Sequence, residues 1–365
     1  MNPAEHSDAA GAQGSGLRIQ QAILNSPGSF DDAWTTLLLC SRLGQRKGTA
    51  NEPEPLRDAA WHTLRARLEQ GGLPIGGLLG RSVVELQESF GWNIQFAAQV
   101  AALLTSGRRQ ELIAGEVARL DRQGIWVLCW LDHAYPERLR QRLGPSAPAL
   151  LYGAGAREQI ASSGVAVVGS RHLDAAGERF AKSTGRRCAK RGLTVFSGAA
   201  WGADRVAMLA STEAGGRAVG VVAGRLEQML RDRAFGPLIE GGRLSLVTKV
   251  QPSAGFSVGN AMDRNKLIYC LAECAIVVTS SLRVGGTWAG AVENLRRQWT
   301  PLYVRTGPDV PDGNQELLDL GGLPLLPELV ESTAWTSRAT PDALLGAASQ
   351  DPLAWTSRAN PDSRR

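Results

Sequence analysis

No run of eighteen or more apolar residues occurs in this 365-residue chain, which argues against a membrane-spanning helix. The first thirty residues also lack a basic segment followed by an apolar one, so no secretory signal is read there. They form a polar, Gly/Ala/Ser-rich leader (1–30), expected to be disordered. The address this implies is the cytoplasm. Cysteine is scarce: Cys40, Cys129, Cys188, Cys270 and Cys274 show no C-x-x-C spacing and have apolar neighbours. That pattern argues against a disulfide framework and a zinc site, and predicts buried thiols. Histidine is scarcer still. His6, His62, His133 and His172 are scattered, with no spacing that would bind a metal or complete a triad. No metal and no cofactor is implied.

What is present is an uneven charge distribution. Residues 1–164 carry 16 basic and 16 acidic side chains, residues 165–304 carry 19 and 10, and residues 305–365 carry 5 and 9. The middle segment is therefore +9 within a chain of net charge +5. A local excess of this kind points to an anionic partner for that segment.

Along the chain, residues 31–109 read as a small helical domain. Helices are expected from about 31, over 56–70, 82–90 and 93–105, with Leu56, Ala60, Leu64 and Leu68 on one face of the second. Residues 44–55 are a Gly/Pro-punctuated loop. From 110 to 330 the pattern becomes that of an α/β domain. A helix at 110–122 leads to the apolar strand 125–130, and buried strands follow at 165–168, 193–196, 218–223, 244–250, 275–278 and 301–304. Helices are expected between them, including 174–190 and 202–213. Strands buried on both faces and joined by helices imply a Rossmann-like, mainly parallel sheet with helices on both faces. Residues 331–365 form a polar tail in which Ala334-Trp335-Thr336-Ser337-Arg338 recurs as Ala354-Trp355-Thr356-Ser357-Arg358. The two copies are either short linear motifs or a recent duplication.

Four segments fall at strand ends or helix starts, three of them marked by glycine. They are Gly169-Ser170-Arg171, the loop Ser197-Gly198-Ala199-Ala200-Trp201-Gly202-Ala203-Asp204, the segment Asp263-Arg264-Asn265-Lys266 placed just before a helix, and Val284-Gly285-Gly286-Thr287. Glycines let backbone N–H groups approach a phosphate, helix N-termini favour negative charge, and Arg171, Arg264 and Lys266 can neutralise it. Asp204 reads first as a helix-start and loop-fixing carboxylate, because no second acid lies near it in sequence. Trp201, in a glycine loop, can stack a base or pack against a neighbouring domain.

These motifs resemble, in order and spacing, those of the DNA-processing protein family DprA, also called Smf. The resemblance runs over about 111–326. It rests on Gly169-Ser170-Arg171, on Ser197 to Asp204, on Arg264-Asn265-Lys266-Leu267-Ile268 and on Gly286-Thr287. Tyr135-Pro136-Glu137-Arg138-Leu139 and Pro148 to Gly153 look like the family's lead-in, and Gly313 to Gly321 like its closing segment. The resemblance implies a helical N-terminal domain, an extended Rossmann-like domain, a homodimer, single-stranded DNA as ligand and a RecA-type recombinase as partner. It would place Gly169, Ser170, Arg171, Ser197, Gly198, Arg264, Asn265 and Lys266 in a phosphate-binding pocket; Trp201, Gly202, Gly286 and Thr287 complete the expected site. The chain departs from the family at Trp201, where Arg is usual, at Met208 for His, at Ala261-Met262 for Phe-Pro, and at Thr279 for an acid. The winged-helix-like C-terminal domain of many members is not expected from the polar tail at 331–365.

The leading expectation is a non-enzymatic protein that binds single-stranded DNA, with no catalytic residues. The alternative is a sensor or hydrolase of a nucleotide-derived ligand using the same pocket, as in phosphoribohydrolases of the wider superfamily. Gly285-Gly286-Thr287 only partly resembles the hydrolase motif, because position 290 is glycine and the acid arrives at Glu293.

Overall fold

The structure, a computed structural model, describes residues 30–45 and 53–327. The chain forms two compact units, Met1–Gly153 and Ala154–Arg365. The division falls at Gly153/Ala154 rather than at the 109/110 boundary expected from sequence, so residues 110–153 join the first unit. The leader, most of the loop after Gly44 and the tail with its repeated pentapeptide lie outside the described residues. Among the described residues no helix is long and apolar enough to cross a membrane.

The first unit is built on helices α1 (Phe30–Cys40), α2 (Asp58–Gln70), α3 (Val83–Phe90), α4 (Ile94–Thr105) and α5 (Gly107–Arg122). Strand β1 (Ile125–Cys129), the short helix α6 (Glu137–Leu143) and strand β2 (Leu150–Ala154) follow. The helix starts are chemically defined. Ser82 and Glu85 form a capping box on α3, Asn93 accepts the Phe96 N–H, and Ser106 accepts the Arg109 N–H. Buried Arg109 donates to the carbonyls of Leu38 and Ser41 at the end of α1, at 2.9 and 2.6 Å, where a cation offsets the helix dipole.

The second unit contains seven strands: β3 (Gly164–Val168), β4 (Thr194–Ser197), β5 (Arg217–Val221), β6 (Leu244–Thr248), β7 (Cys274–Val277), β8 (Leu302–Arg305) and β9 (Leu323–Leu325). They lie side by side in the order β6-β5-β4-β3-β7-β8-β9, and every pair is parallel. Parallel neighbours require crossovers, and helices supply them: α7 (Ala175–Lys190), α8 (Ala203–Glu213), the short α9 (Leu226–Met229) and α10 (Gly236–Glu240), α11 (Val258–Leu271), α12 (Gly285–Arg297) and α13 (Asp312–Asp319). Because helices cover both faces, β3, β4, β6 and β7 are buried throughout and read as continuous apolar runs. The fold is the Rossmann-like sheet expected from the strand spacing.

Chain order runs outward in one direction from β3 through β4 and β5 to β6, then returns to the other side of β3 with β7. The switch in strand order therefore lies between β3 and β7, and a crevice opens beyond the carboxyl ends of these strands. Four of the five cysteines are buried, as expected; Cys40 is half-buried, and all five are free thiols.

Candidate nucleic-acid interface

Just beyond Val168 and Val277, where β3 and β7 end, an open cleft of about 440 Å3 occupies the switch point. Its walls come from three directions: Gly169 to His172 after β3, Arg264, Asn265 and Tyr269 from α11, and Val284 to Thr287 at the start of α12.

The turn after β3 is held from two sides. The Ser170 N–H donates to both the carbonyl and the hydroxyl of Thr279, at 3.0 and 3.1 Å, and the Ser170 carbonyl accepts the Ala203 N–H at 3.2 Å. Gly202 has a φ of +88°, and a Cβ there would collide with the backbone of Ser170 and Arg171. Its glycine is thus required twice, by conformation and by contact. The following loop is braced by Asp204, whose Oδ2 accepts the Gly198 N–H at 3.1 Å. Burial raises the Asp204 carboxyl above its ordinary pKa, while the Arg264 charge and the Gly198 N–H oppose the rise. The loop-fixing reading of this carboxylate matches its contacts, and the carboxylate also faces the cleft.

Arg264 is the central cation. Its guanidinium lies over the Cα of Gly198, in the space a Cβ would fill. Its Nε is sealed from solvent with no hydrogen-bond partner. Burial holds Arg264 below the ordinary guanidinium value against the pull of Asp204, and the Arg171 charge lowers it further. Arg171 is exposed on the cleft wall and forms no ion pair with any described residue. Two guanidinium groups therefore share one cleft with a single buried carboxylate. The start of α12 adds a third positive element. Its N-cap, Val284, offers no side-chain acceptor, so the first N–H groups of a thirteen-residue helix stay uncapped at the cleft wall. Asn265 fixes that helix start by donating to the Gly286 carbonyl at 3.0 Å.

Of the residues singled out from sequence, Gly169, Ser170, Arg171, Arg264, Asn265, Gly286 and Thr287 meet at the cleft. The others are placed differently. Ser197 is fully buried, its hydroxyl donating to the Val167 carbonyl at 2.5 Å, and it joins β4 to β3. Gly198 and Gly202 shape the wall without lining it. Trp201 stands beside the cleft, and Arg205 covers its ring at 4.7 Å. Lys266 turns away and pairs with Asp263, which also holds Lys249 at 2.5 Å. The reason is local: residues 263–266 lie inside α11, which begins at the Ser257 cap, not ahead of it. Residues two apart on a helix point about 200° apart, so Arg264 and Lys266 cannot face one cleft.

Sequence reasoning missed Ala261 and Met262, which become cleft residues only once α11 is extended upstream, and Ile268, which lies one turn beyond Arg264 on the same helix face. It also missed Tyr269, buried beneath the cleft, where burial pushes the phenol well above its usual range. Glu293, the acid of the hydrolase comparison, does not line the cleft. Among the described residues no group of three or more His, Cys, Asp or Glu could hold a metal ion.

Comparison with known proteins places this architecture. A Mycobacterium tuberculosis protein assigned as DNA processing protein DprA is 31% identical over 156 residues, covering 40% of this chain and 39% of its own length. Protein Smf of Escherichia coli is 30% identical over 172 residues, covering 43% and 45%. The chain thus spans less than half the length of these curated relatives. The X-ray structure of DNA processing protein A from Streptococcus pneumoniae has the same fold, with a TM-score of 0.51 at 19% identity over 74% of this chain and 95% of that one. The family model for DNA recombination-mediator protein A matches residues 126–308. That match takes in half of the sequence, including every wall of the cleft, and the chain belongs to the DNA recombination-mediator protein A family, the DprA/Smf family.

Proposed function

We propose that the switch-point cleft holds backbone phosphates of single-stranded DNA, and that the chain acts as a non-enzymatic DNA-processing protein. The observation that carries this reading is Arg264, whose buried Nε lacks an acceptor in a cleft shared with exposed Arg171 and an uncapped helix start. A buried donor without a partner costs stability, and a phosphate oxygen is the acceptor that three converging positive elements select. Such contacts read the backbone and not the bases, and no recognition-helix motif is present, so single strands should be preferred over duplex with little base specificity.

The test is a titration of single-stranded DNA at several salt concentrations. Arg264→Ala and Arg171→Ala should each weaken binding, Arg264→Ala by about 1.5–3 kcal/mol, and each should reduce the salt slope by about one. Arg217→Ala, at the opposite end of the sheet, should do neither. If a stable Arg264→Ala protein keeps full affinity, the cleft is not the DNA site.

In the same reading the chain works as a homodimer with a RecA-type recombinase, which sedimentation and recombinase-loading assays would test. A second ligand class is favoured by one observation. A cleft of about 440 Å3 lies within the size range of small-molecule sites, so a free nucleotide would fit it. Competition between nucleoside monophosphates and single-stranded DNA distinguishes a ligand sensor from a strand binder.

A further inference from the structure

Trp201 is 72% exposed, which is unusual for the largest side chain in the code. It sits between Ala200, which lines the cleft, and Gly202, whose Cα abuts Arg171. Its ring is nonetheless fixed. The Arg205 guanidinium lies over the indole, and the same guanidinium stands 4.3 Å from the ring centroid of fully buried Phe235. Both terminal nitrogens of Arg205 donate to Asp232, at 3.1 and 2.8 Å. Asp232 is itself held by the N–H groups of Ala234 and Phe235, at 2.9 and 3.3 Å. The three layers Phe235, Arg205 and Trp201 therefore form a stack rooted in the core, with one indole face covered by a held cation and the other open to solvent.

We infer that the open face of Trp201 is a stacking platform for one base of the strand whose phosphate lies in the cleft; the inference rests on the phosphate-binding reading above. Burial does not explain the arrangement, because most of the indole surface stays in water and gains little by folding. Preorganisation does: a ring already immobilised loses little freedom when a ligand lands on it. The neighbouring cations identify the ligand as one that joins a flat π-face to an anion, which describes a nucleotide unit and not an apolar peptide side chain. Every base offers such a face, so the platform adds affinity without reading sequence.

The experiment compares an ordinary oligonucleotide with one of equal length lacking all bases, against wild type, Trp201→Ala, Trp201→Phe and Arg264→Ala. Trp201→Ala should weaken the base-bearing strand about tenfold. It should leave the baseless strand and the salt slope unchanged. Trp201→Phe should retain most of the affinity, and melting temperatures should match wild type because the side chain is exposed. Equal losses on both strands, or no loss on either, would overturn the platform. So would a loss that follows a change in oligomeric mass, which would make Trp201 a protein contact. If Arg264→Ala still weakens both strands in those cases, the phosphate site stands and only the platform fails.

Discussion

Where a Cβ on Gly198 would stand, the structure has the Arg264 guanidinium. The pair explains why a glycine adjoins Ser197 when neither a positive φ nor a tight turn demands one at 198. Alanine at 198 would keep the backbone conformation but push the guanidinium aside, and the displaced atoms are the end of a flexible side chain. Gly198→Ala is therefore expected to change the melting temperature little while weakening single-stranded DNA binding several-fold. Thermal melting and titration of the same preparation check both halves. A variant that binds normally would mean that the guanidinium position is irrelevant to the ligand; one that binds poorly only because it melts early would return Gly198 to a purely structural role. Asp204 belongs to the same assembly, since it braces the Gly198 N–H and lies near enough to oppose the effect of burial on Arg264.

At the scale of elements, the cleft floor depends on how the ends of β7 and β8 are tied. Asn314, fully buried at the start of α13, accepts the Ser280 N–H at 2.8 Å and donates to the carbonyls of Val278 and Arg305, at 3.2 and 2.9 Å. Buried Arg305 also donates to the Val278 carbonyl, at 2.9 Å. Asn314→Ala leaves the Ser280 N–H and the Arg305 carbonyl without this partner, and should cost about 2–3 kcal/mol in urea unfolding. A loss below about 0.5 kcal/mol would mean that the tie is not needed. Most of this layer was legible in the sequence. The strands at 165–168, 275–278 and 301–304 recur within one residue as β3, β7 and β8, because runs buried on both faces leave an unbroken apolar signal. The Gly-Ser-Arg turn and the start of α12 were legible as well, since glycine at a strand end marks close backbone approach. What failed was α11. Asp263-Arg264-Asn265 has the composition of a loop, whereas the true start is the Ser257 cap six residues upstream of Asp263. From that one displacement follow both the misplacement of Lys266 and the omission of Ala261 and Met262. Short elements such as α9, α10 and β9 carry too few residues to show a period at all.

For the whole molecule, acid stability follows from groups in both units. His62, in the first unit, is buried with Nε2 2.9 Å from the Ala147 carbonyl, which makes Nε2 the protonated nitrogen of a neutral ring. Burial holds its pKa below the ordinary value; the Ala147 bond opposes this and the Arg65 charge adds to it. Once the pH falls below about 6.5 an unfolded imidazole takes up a proton that the folded one resists, so the unfolded state binds more protons and stability declines. Two carboxylates extend the decline to lower pH. Asp232 is lowered by its bond from Arg205, and Asp263, although burial pushes it up, is brought below its ordinary value by Lys249 and Lys266. Their stabilisation is present above the usual carboxylate range and disappears as the pH falls through their folded values. Asp204 acts in the opposite sense. Burial raises its folded pKa, so it takes up a proton before the unfolded chain does and offsets part of that loss. Urea midpoints are therefore expected to fall between pH 7.5 and 5.5 and again below about pH 4. His62→Gln, which keeps a donor for the Ala147 carbonyl, should flatten the upper decline and leave the lower one. Single-stranded DNA affinity should be the same in wild type and His62→Gln at each pH from 7.5 to 5.5, because His62 belongs to the first unit and the cleft to the second. A wild-type midpoint unchanged across that window, or an affinity that follows His62, would contradict this division between a stability group and a binding site.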